Sequence, residues 1–354
     1  MMQISPETQL FIREHSSDDV RVLALQAKKY PDIDMPTAIT QIAGRKVAAE
    51  KIPSWWEIEK IWYPKHLSLE QCSSEITARY KARLLQGDSL TDLTGGFGID
   101  CSFLATGFKS ATYVERQEEL CEIAAHNFPV LNLNHINIKN EDGVTYLQVM
   151  SPVDSLFLDP ARRNEHGGKT VAISDCEPNV AELEELLLQK ANRVMIKLSP
   201  MLDLSLALKE LKQTQEVHIL SVNNECKELL ILLGQTSPAE ISIHCVNLFT
   251  KGTQKEQHFV FTREQEQCSE CTYTDSLETY LYEPNASLLK AGAFRSIAAA
   301  YPVRKLHPNS HLYTSDTFIE NFPGRIFRIV NQCSFNKKEV KENLADLKKA
   351  NVTV

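Results

Sequence analysis

From residue 89 to about 235 the chain alternates short apolar segments with amphipathic ones, and this alternation limits the possible folds more than any other feature. The apolar segments are 89–93 (SLTDL), 111–114 (ATYV), 135–138 (HINI), 154–158 (DSLFL) and 193–198 (RVMIKL). Helical patterns fall between them at 99–107, 116–127 and 179–190. Short strands separated by helices predict a parallel sheet with helices on both faces. Two more apolar runs, 216–222 and 228–233, flank Asn-Asn-Glu-Cys-Lys and predict an antiparallel hairpin that closes the sheet at seven strands.

The flanking regions have a different texture. Residues 1–88 read as helical, with a start signal at Ser16, Ser17, Asp18 and Asp19 and interruptions at Pro31, Pro36, Pro53 and Pro64. The last of these helices is expected over about 68–85. Residues 242–282 hold two strand-like runs around Lys-Gly-Thr-Gln and predict a small separate unit. Residues 283–354 combine a helix in EPNASLLKAGAFRSIAAAY, a strand in FPGRIFRIV and a charged final helix.

Composition excludes several classes. No apolar run in the 354 residues reaches the roughly 18–20 that a membrane helix needs. The first fifteen residues are too polar for a signal peptide. Nine scattered cysteines suit a reducing compartment better than a disulfide framework, so a soluble cytoplasmic protein is expected. The net charge of −8 is unevenly distributed: residues 285–354 carry eleven Lys/Arg against five Asp/Glu, a net +6, which leaves −14 on the rest. A basic C-terminal part is compatible with nucleic-acid contact, or is only a mildly basic surface.

The most informative run is Asp92-Leu93-Thr94-Gly95-Gly96-Phe97-Gly98-Ile99-Asp100, where a strand passes into a helix. Glycines there let the backbone approach a ligand lying beyond the carboxyl ends of the strands. A dinucleotide fingerprint would need Gly or Ala three residues after Gly98, and that position is Cys101. A carboxylate at Asp92 suits a cofactor with a cationic end better than a pyrophosphate. The next strand ends in Glu115, which could accept from two ribose hydroxyls or cap the following helix. After the third strand comes Asp142, which could accept from an adenine amine or belong to an Asp-Gly turn.

Glycine loop, acid and acid at the ends of successive strands resemble the class I S-adenosylmethionine-dependent methyltransferases, as does Asp159-Pro160-Ala161-Arg162 after the fourth strand. More closely, LEQCSSEITARYKA at 69–82, NNECKE at 223–228 and EPNASLLKAGAF at 283–294 resemble the bacterial THUMP-like methyltransferases. The resemblance implies an α/β, Rossmann-like, seven-stranded methyltransferase domain at 89–240 after a helical region at 1–88. It further implies small α+β modules, ferredoxin-like at 241–282 and THUMP-like at 283–354. S-adenosylmethionine is the implied cofactor, held by Asp92, Thr94, Gly95, Gly96, Gly98, Glu115 and Asp142, with Ser74 and Glu75 above it. RNA is the implied partner, because THUMP modules serve RNA-modifying enzymes.

Asp159, Pro160 and Arg162 are the implied catalytic residues, with Arg163 and Lys197 toward the substrate. Methyltransferases of exocyclic amines often carry Asp or Asn, two prolines and an aromatic residue here. This chain has Ala161 in place of the second proline and Arg162 in place of the aromatic. Carbon-5 methylation of uracil would need a cysteine after the fifth strand, where the sequence reads Lys197-Leu198-Ser199-Pro200. Cys176 is the nearest thiol, and a buried structural role suits it better. Cys268 and Cys271 have metal-knuckle spacing, but His244, Cys245 and His258 complete no known zinc pattern, so no metal is expected. Trp55, Trp56 and Tyr63 could stack on bases, or anchor the N-terminal helices.

Overall fold

The computed structural model describes residues 4–162, 172–236, 238–334 and 336–345. The N-terminal part forms six helices: α1 (Pro6–Glu14), α2 (Val20–Leu25), α3 (Met35–Lys51), α4 (Pro53–Trp56), α5 (His66–Gln71) and α6 (Glu75–Ala82). Asp19 and Asp34 start α2 and α3 by accepting the free amide hydrogens of the first turn. The single helix expected over 68–85 is instead two, because the extended backbone at Cys72 and Ser74 breaks it. Trp55 is buried edge-on against Phe97, 5.2 Å between ring centres, and so anchors these helices to the sheet. Tyr63 is also buried, whereas Trp56 is exposed with Arg45 above its ring.

The chain then alternates strand and helix: β1 (Ser89–Asp92), α7 (Ile99–Ala105), β2 (Ser110–Val114), α8 (Glu118–Val130), β3 (Ile136–Lys139), α9 (Gly143–Val149) and β4 (Val153–Leu158). A short ribbon, β5 (Ala161–Arg162) with β6 (Cys176–Glu177), precedes α10 (Val180–Lys190), β7 (Ala191–Leu198) and α11 (Leu204–Glu210). The sheet continues through β8 (Thr214–Val222), β9 (Glu225–Gly234), β10 (Ser242–Leu248) and β11 (Glu256–Thr262). Its order is β11-β10-β8-β9-β7-β4-β1-β2-β3, nine strands rather than the expected seven.

The hairpin turns through Asn223 and Asn224, both at positive φ, where asparagine is tolerated better than most side chains. It does not close the sheet. β9 inserts antiparallel between β7 and β8, and β10 then adds parallel to β8. Residues 242–262, expected in a separate unit, thus extend the main sheet, since Ile243, Cys245 and Phe261 bury into the same core as Val217 and Ile231. Successive side chains of a strand face opposite ways, and both faces are covered. Val194, Ile196 and Ile231 pack on one side, while Met195, Leu230 and Leu232 meet Tyr80 of α6 on the other.

After α12 (Arg263–Cys268), a second antiparallel sheet contains β12 (Tyr280–Pro284), β13 (Arg304–Lys305), β14 (Tyr313–Ser315) and β15 (Gly324–Arg328), in the order β13-β14-β12-β15. The helix expected at 283–301 is split into α13 (Ala286–Ala291) and α14 (Ser296–Ala300), because Gly292 turns left-handed and caps the first. The final helix, α15, spans Lys337–Asn343. No helix among the described residues is long and apolar enough to cross a membrane.

Candidate active site

Strand order reverses between β1 and β4, and a cleft of about 1010 Å³ opens beyond the carboxyl ends of the strands at that point. Asp92, Thr94, Gly95, Gly96, Gly98, Glu115, Asp142, Asp159, Pro160 and Lys197 all line it. The fold therefore brings together residues expected from five separate strand ends.

The loop after β1 is shaped largely by what lies beneath it. A Cβ at Gly95 would sit 2.3 Å from the Tyr113 ring, and Gly98 has φ +86 with the Phe128 ring close by. Tyr113 also donates its hydroxyl to the Gly96 carbonyl at 2.5 Å. Glu115 fastens the loop from the side: Oε2 accepts from the Gly96 amide at 2.9 Å and Oε1 from the Gln117 amide at 2.8 Å. Asp142 caps α9, with Oδ1 3.0 Å from the amides of Val144 and Thr145. Both acids thus hold the backbone while they face the cleft, and a carboxylate has lone pairs left for a ligand.

Asp92 differs from them. Its Oδ1 accepts from the Thr94 amide at 2.9 Å, but Oδ2 is buried with no hydrogen-bond partner. Burial, reinforced by the charges of Asp100, Asp159 and Glu115, pushes this carboxyl well above the usual carboxylate range. A buried, unsatisfied carboxylate oxygen in a cleft wall calls for a cationic or hydrogen-bond-donating ligand group. Thr94 links the loop to the fourth strand, since its hydroxyl accepts the Asp159 amide at 2.6 Å.

Of the charged network behind Asp159, only Lys197 was expected near the site. Lys197 on β7 pairs with the Asp159 carboxylate and lies 3.5 Å from Asp100 Oδ2. Lys81 of α6 is fully buried, 2.7 Å from Glu228 Oε1, 3.0 Å from Asp100 Oδ1 and 2.9 Å from the Ser73 hydroxyl. Burial alone would raise Asp100, but Lys81 and Lys197 hold it below its ordinary value. Burial likewise opposes charge on Lys197, yet Asp159, Asp100 and Glu228 keep its pKa above that of a free lysine. Two ammonium groups thus face three carboxylates before Asp92 is counted, so the cleft favours a cation.

One expectation needs correction. Ser74 and Glu75 do not line the cleft: Ser74 starts α6, and Glu75 is committed to the Ser54 amide and to Arg79. Cys72 and Ser73, in the break between α5 and α6, line the cleft instead. Arg162 contributes backbone to the β5–β6 ribbon opposite Cys176, and Arg163 lies outside the described residues. Cys176 lines the cleft, as does Cys72, whose thiol burial pushes up to about 11 and so out of its nucleophilic form at neutral pH.

Comparison with known proteins bears on this architecture. A family model for a ferredoxin-like domain matches residues 280–323, within the second sheet and not at 241–282 as expected. No curated protein matches the sequence. The crystal structure of a Porphyromonas gingivalis W83 protein, provisionally named a methyltransferase, superposes with a TM-score of 0.85 and 33% identity, covering 99% of this chain and 88% of that one. An rRNA methylase from Streptococcus thermophilus overlaps 45% of this chain and 93% of its own, at 15% identity and a TM-score of 0.32, too little to support an argument. The identity and coverage of the Porphyromonas structure place this chain in the same methyltransferase-fold family.

Proposed function

We propose that this chain is an S-adenosylmethionine-dependent methyltransferase of the THUMP-like group that methylates a base nitrogen of tRNA or rRNA in the cytoplasm. The observation that carries the cofactor assignment is the unpartnered Oδ2 of Asp92, buried in a cleft with excess negative charge. That oxygen suits the α-ammonium group of the cofactor, Gly95, Gly96 and Gly98 its methionine end, and Glu115 and Asp142 its ribose and adenine. Bound there, the cofactor supplies an electrophilic methyl group on sulfur.

Methyl transfer depends on alignment more than on covalent assistance. Lys197 fixes the Asp159 carboxylate, and Thr94 fixes its backbone, so the oxygen not engaged by Lys197 is held for an N–H of the acceptor. The Pro160 carbonyl is a second acceptor beside it. RNA as substrate rests on the THUMP-like resemblance and on the net +6 of residues 285–354, where phosphate contacts would lie.

Calorimetric titration with S-adenosylmethionine, with NAD as control, tests the cofactor; labelled methyl donor with total RNA tests the substrate. Asp159→Ala should abolish transfer and leave cofactor affinity nearly intact, whereas Glu115→Ala should weaken cofactor binding first. No binding of S-adenosylmethionine by the folded protein, with or without RNA, would overturn the proposal. Cofactor binding with label going only to protein or small molecules would overturn the RNA assignment alone.

A further inference from the structure

Outside the cleft, the same face of the large sheet carries a second cluster of potential ligands. His218 on β8 and His244 on β10 are register partners, with rings stacked 4.3 Å apart. His258 on β11 lies diagonally across, its ring 5.3 Å from that of His244. Glu216, two residues before His218, faces the same way by the alternation of a strand. Its Oε2 is 3.1 Å from His218 Nε2, and His244 Nδ1 is 3.2 Å from His258 Nε2. One ligand atom from each of Glu216, His218 and His244 lies within 4.8 Å of the others.

The remote nitrogens are also held. His218 Nδ1 is 2.8 Å from the Tyr80 hydroxyl, and His244 Nε2 is 3.1 Å from the Ser242 hydroxyl. Metal-binding imidazoles usually have their second nitrogen fixed in this way, which sets the tautomer and the ring orientation. Three imidazoles are borderline donors and the carboxylate is a hard one, a mixture that zinc accepts, and a tetrahedral zinc site needs neighbouring ligand atoms about 3.3 Å apart, given metal–nitrogen bonds of about 2.0–2.1 Å. Two of the contacts already have that spacing.

We propose that Glu216, His218 and His244, with His258 as the fourth ligand, form a site for a divalent transition-metal ion of the zinc class. Arg193 engages the other oxygen of Glu216 at 2.9 Å, which leaves Oε2 for the ion. The stacked rings point their lone pairs side by side, so binding must turn His244 about its side-chain bonds and draw the set together. With four protein ligands the site is structural, with no open position for substrate. It would clamp the added strands β10 and β11 to β8 and, through Tyr80, hold α6, which places Lys81 in the buried charged network behind the cleft.

The test uses the full-length protein, stripped with chelator and titrated with Zn²⁺ and with Co²⁺, whose visible bands report tetrahedral coordination. One ion per chain is expected, with a rise in Tm. Affinity should fall about tenfold or more in His258→Gln and His244→Asn, and should be unchanged when Cys268 and Cys271 are both replaced by serine. His258 is exposed, so its variant should fold even if the His244 variant does not. Failure to bind either ion at micromolar concentration, or loss of binding only with the cysteines, would overturn the proposal.

Discussion

Replacing Asp92 by asparagine tests the cleft from two directions at once. The side chain is 1% exposed and Oδ2 has no partner, so its ionised form is held without compensation. Its pKa in the folded protein is raised above the unfolded value. The stability it contributes is therefore complete below the ordinary carboxylate pKa and is lost as pH rises through the folded-state value. Asparagine keeps the acceptor for the Thr94 amide and cannot ionise. Asp92→Asn should thus be more stable than the parent by roughly 1–3 kcal/mol near pH 8, the gain shrinking toward pH 4.

Binding should change in the opposite sense. A hydrogen bond to a charged group contributes about 1–2 kcal/mol more than a neutral one, which predicts roughly 5- to 30-fold weaker S-adenosylmethionine binding. Methylthioadenosine lacks the amino-acid end, so its affinity should be the same in both proteins. Urea denaturation across the pH range and calorimetry with the two ligands measure these effects. The reasoning fails if the variant is less stable at pH 8, or if both ligands weaken equally.

Lys81→Met should destabilise by about 3–5 kcal/mol in urea, because Asp100 and Glu228 stay buried without their shared cation; adding Glu228→Leu should recover part of the loss. Gly95→Ala should cost about 1–3 kcal/mol through collision with the Tyr113 ring, and an unchanged denaturation midpoint would contradict the packing described. Thr94→Val leaves the Asp159 amide without its acceptor, so kcat should fall more than cofactor affinity in a methyl-transfer assay. Asp100 sits below its ordinary pKa, so its stabilisation is present above about pH 4 and is lost as pH falls further. Asp100→Asn should therefore flatten the acid limb of the stability curve while lowering stability at pH 7.

What the sequence determined by itself is local. Alternation of apolar strands with helices set the sheet, asparagines at 223–224 set the hairpin, and the run from Asp92 to Asp100 marked the strand end at which the cleft opens. Glu115, Asp142 and Asp159 were legible because each stands at the end of a recognisable strand, and strand ends on one edge of a parallel sheet must share a rim. Periodicity and turn chemistry act between near neighbours, so they can be read without the fold.

Tertiary structure alone decided which distant groups meet. Lys81 and Glu228 are 147 residues apart, and nothing around either announces a buried pair. Ser74 and Glu75, placed above the cofactor by resemblance alone, lie outside the cleft lining, with Glu75 engaged by the Ser54 amide and Arg79, partners that only the fold brings to it. Strands β10 and β11 were assigned to another unit because an edge strand has the same local pattern whichever sheet it joins. His218, His244 and His258 converge only because β8, β10 and β11 pair in the register they do, and a shift of one residue would turn any of them to the opposite face. Pairing and burial energies depend on neighbours supplied by the whole chain, and therefore emerge only when it has folded.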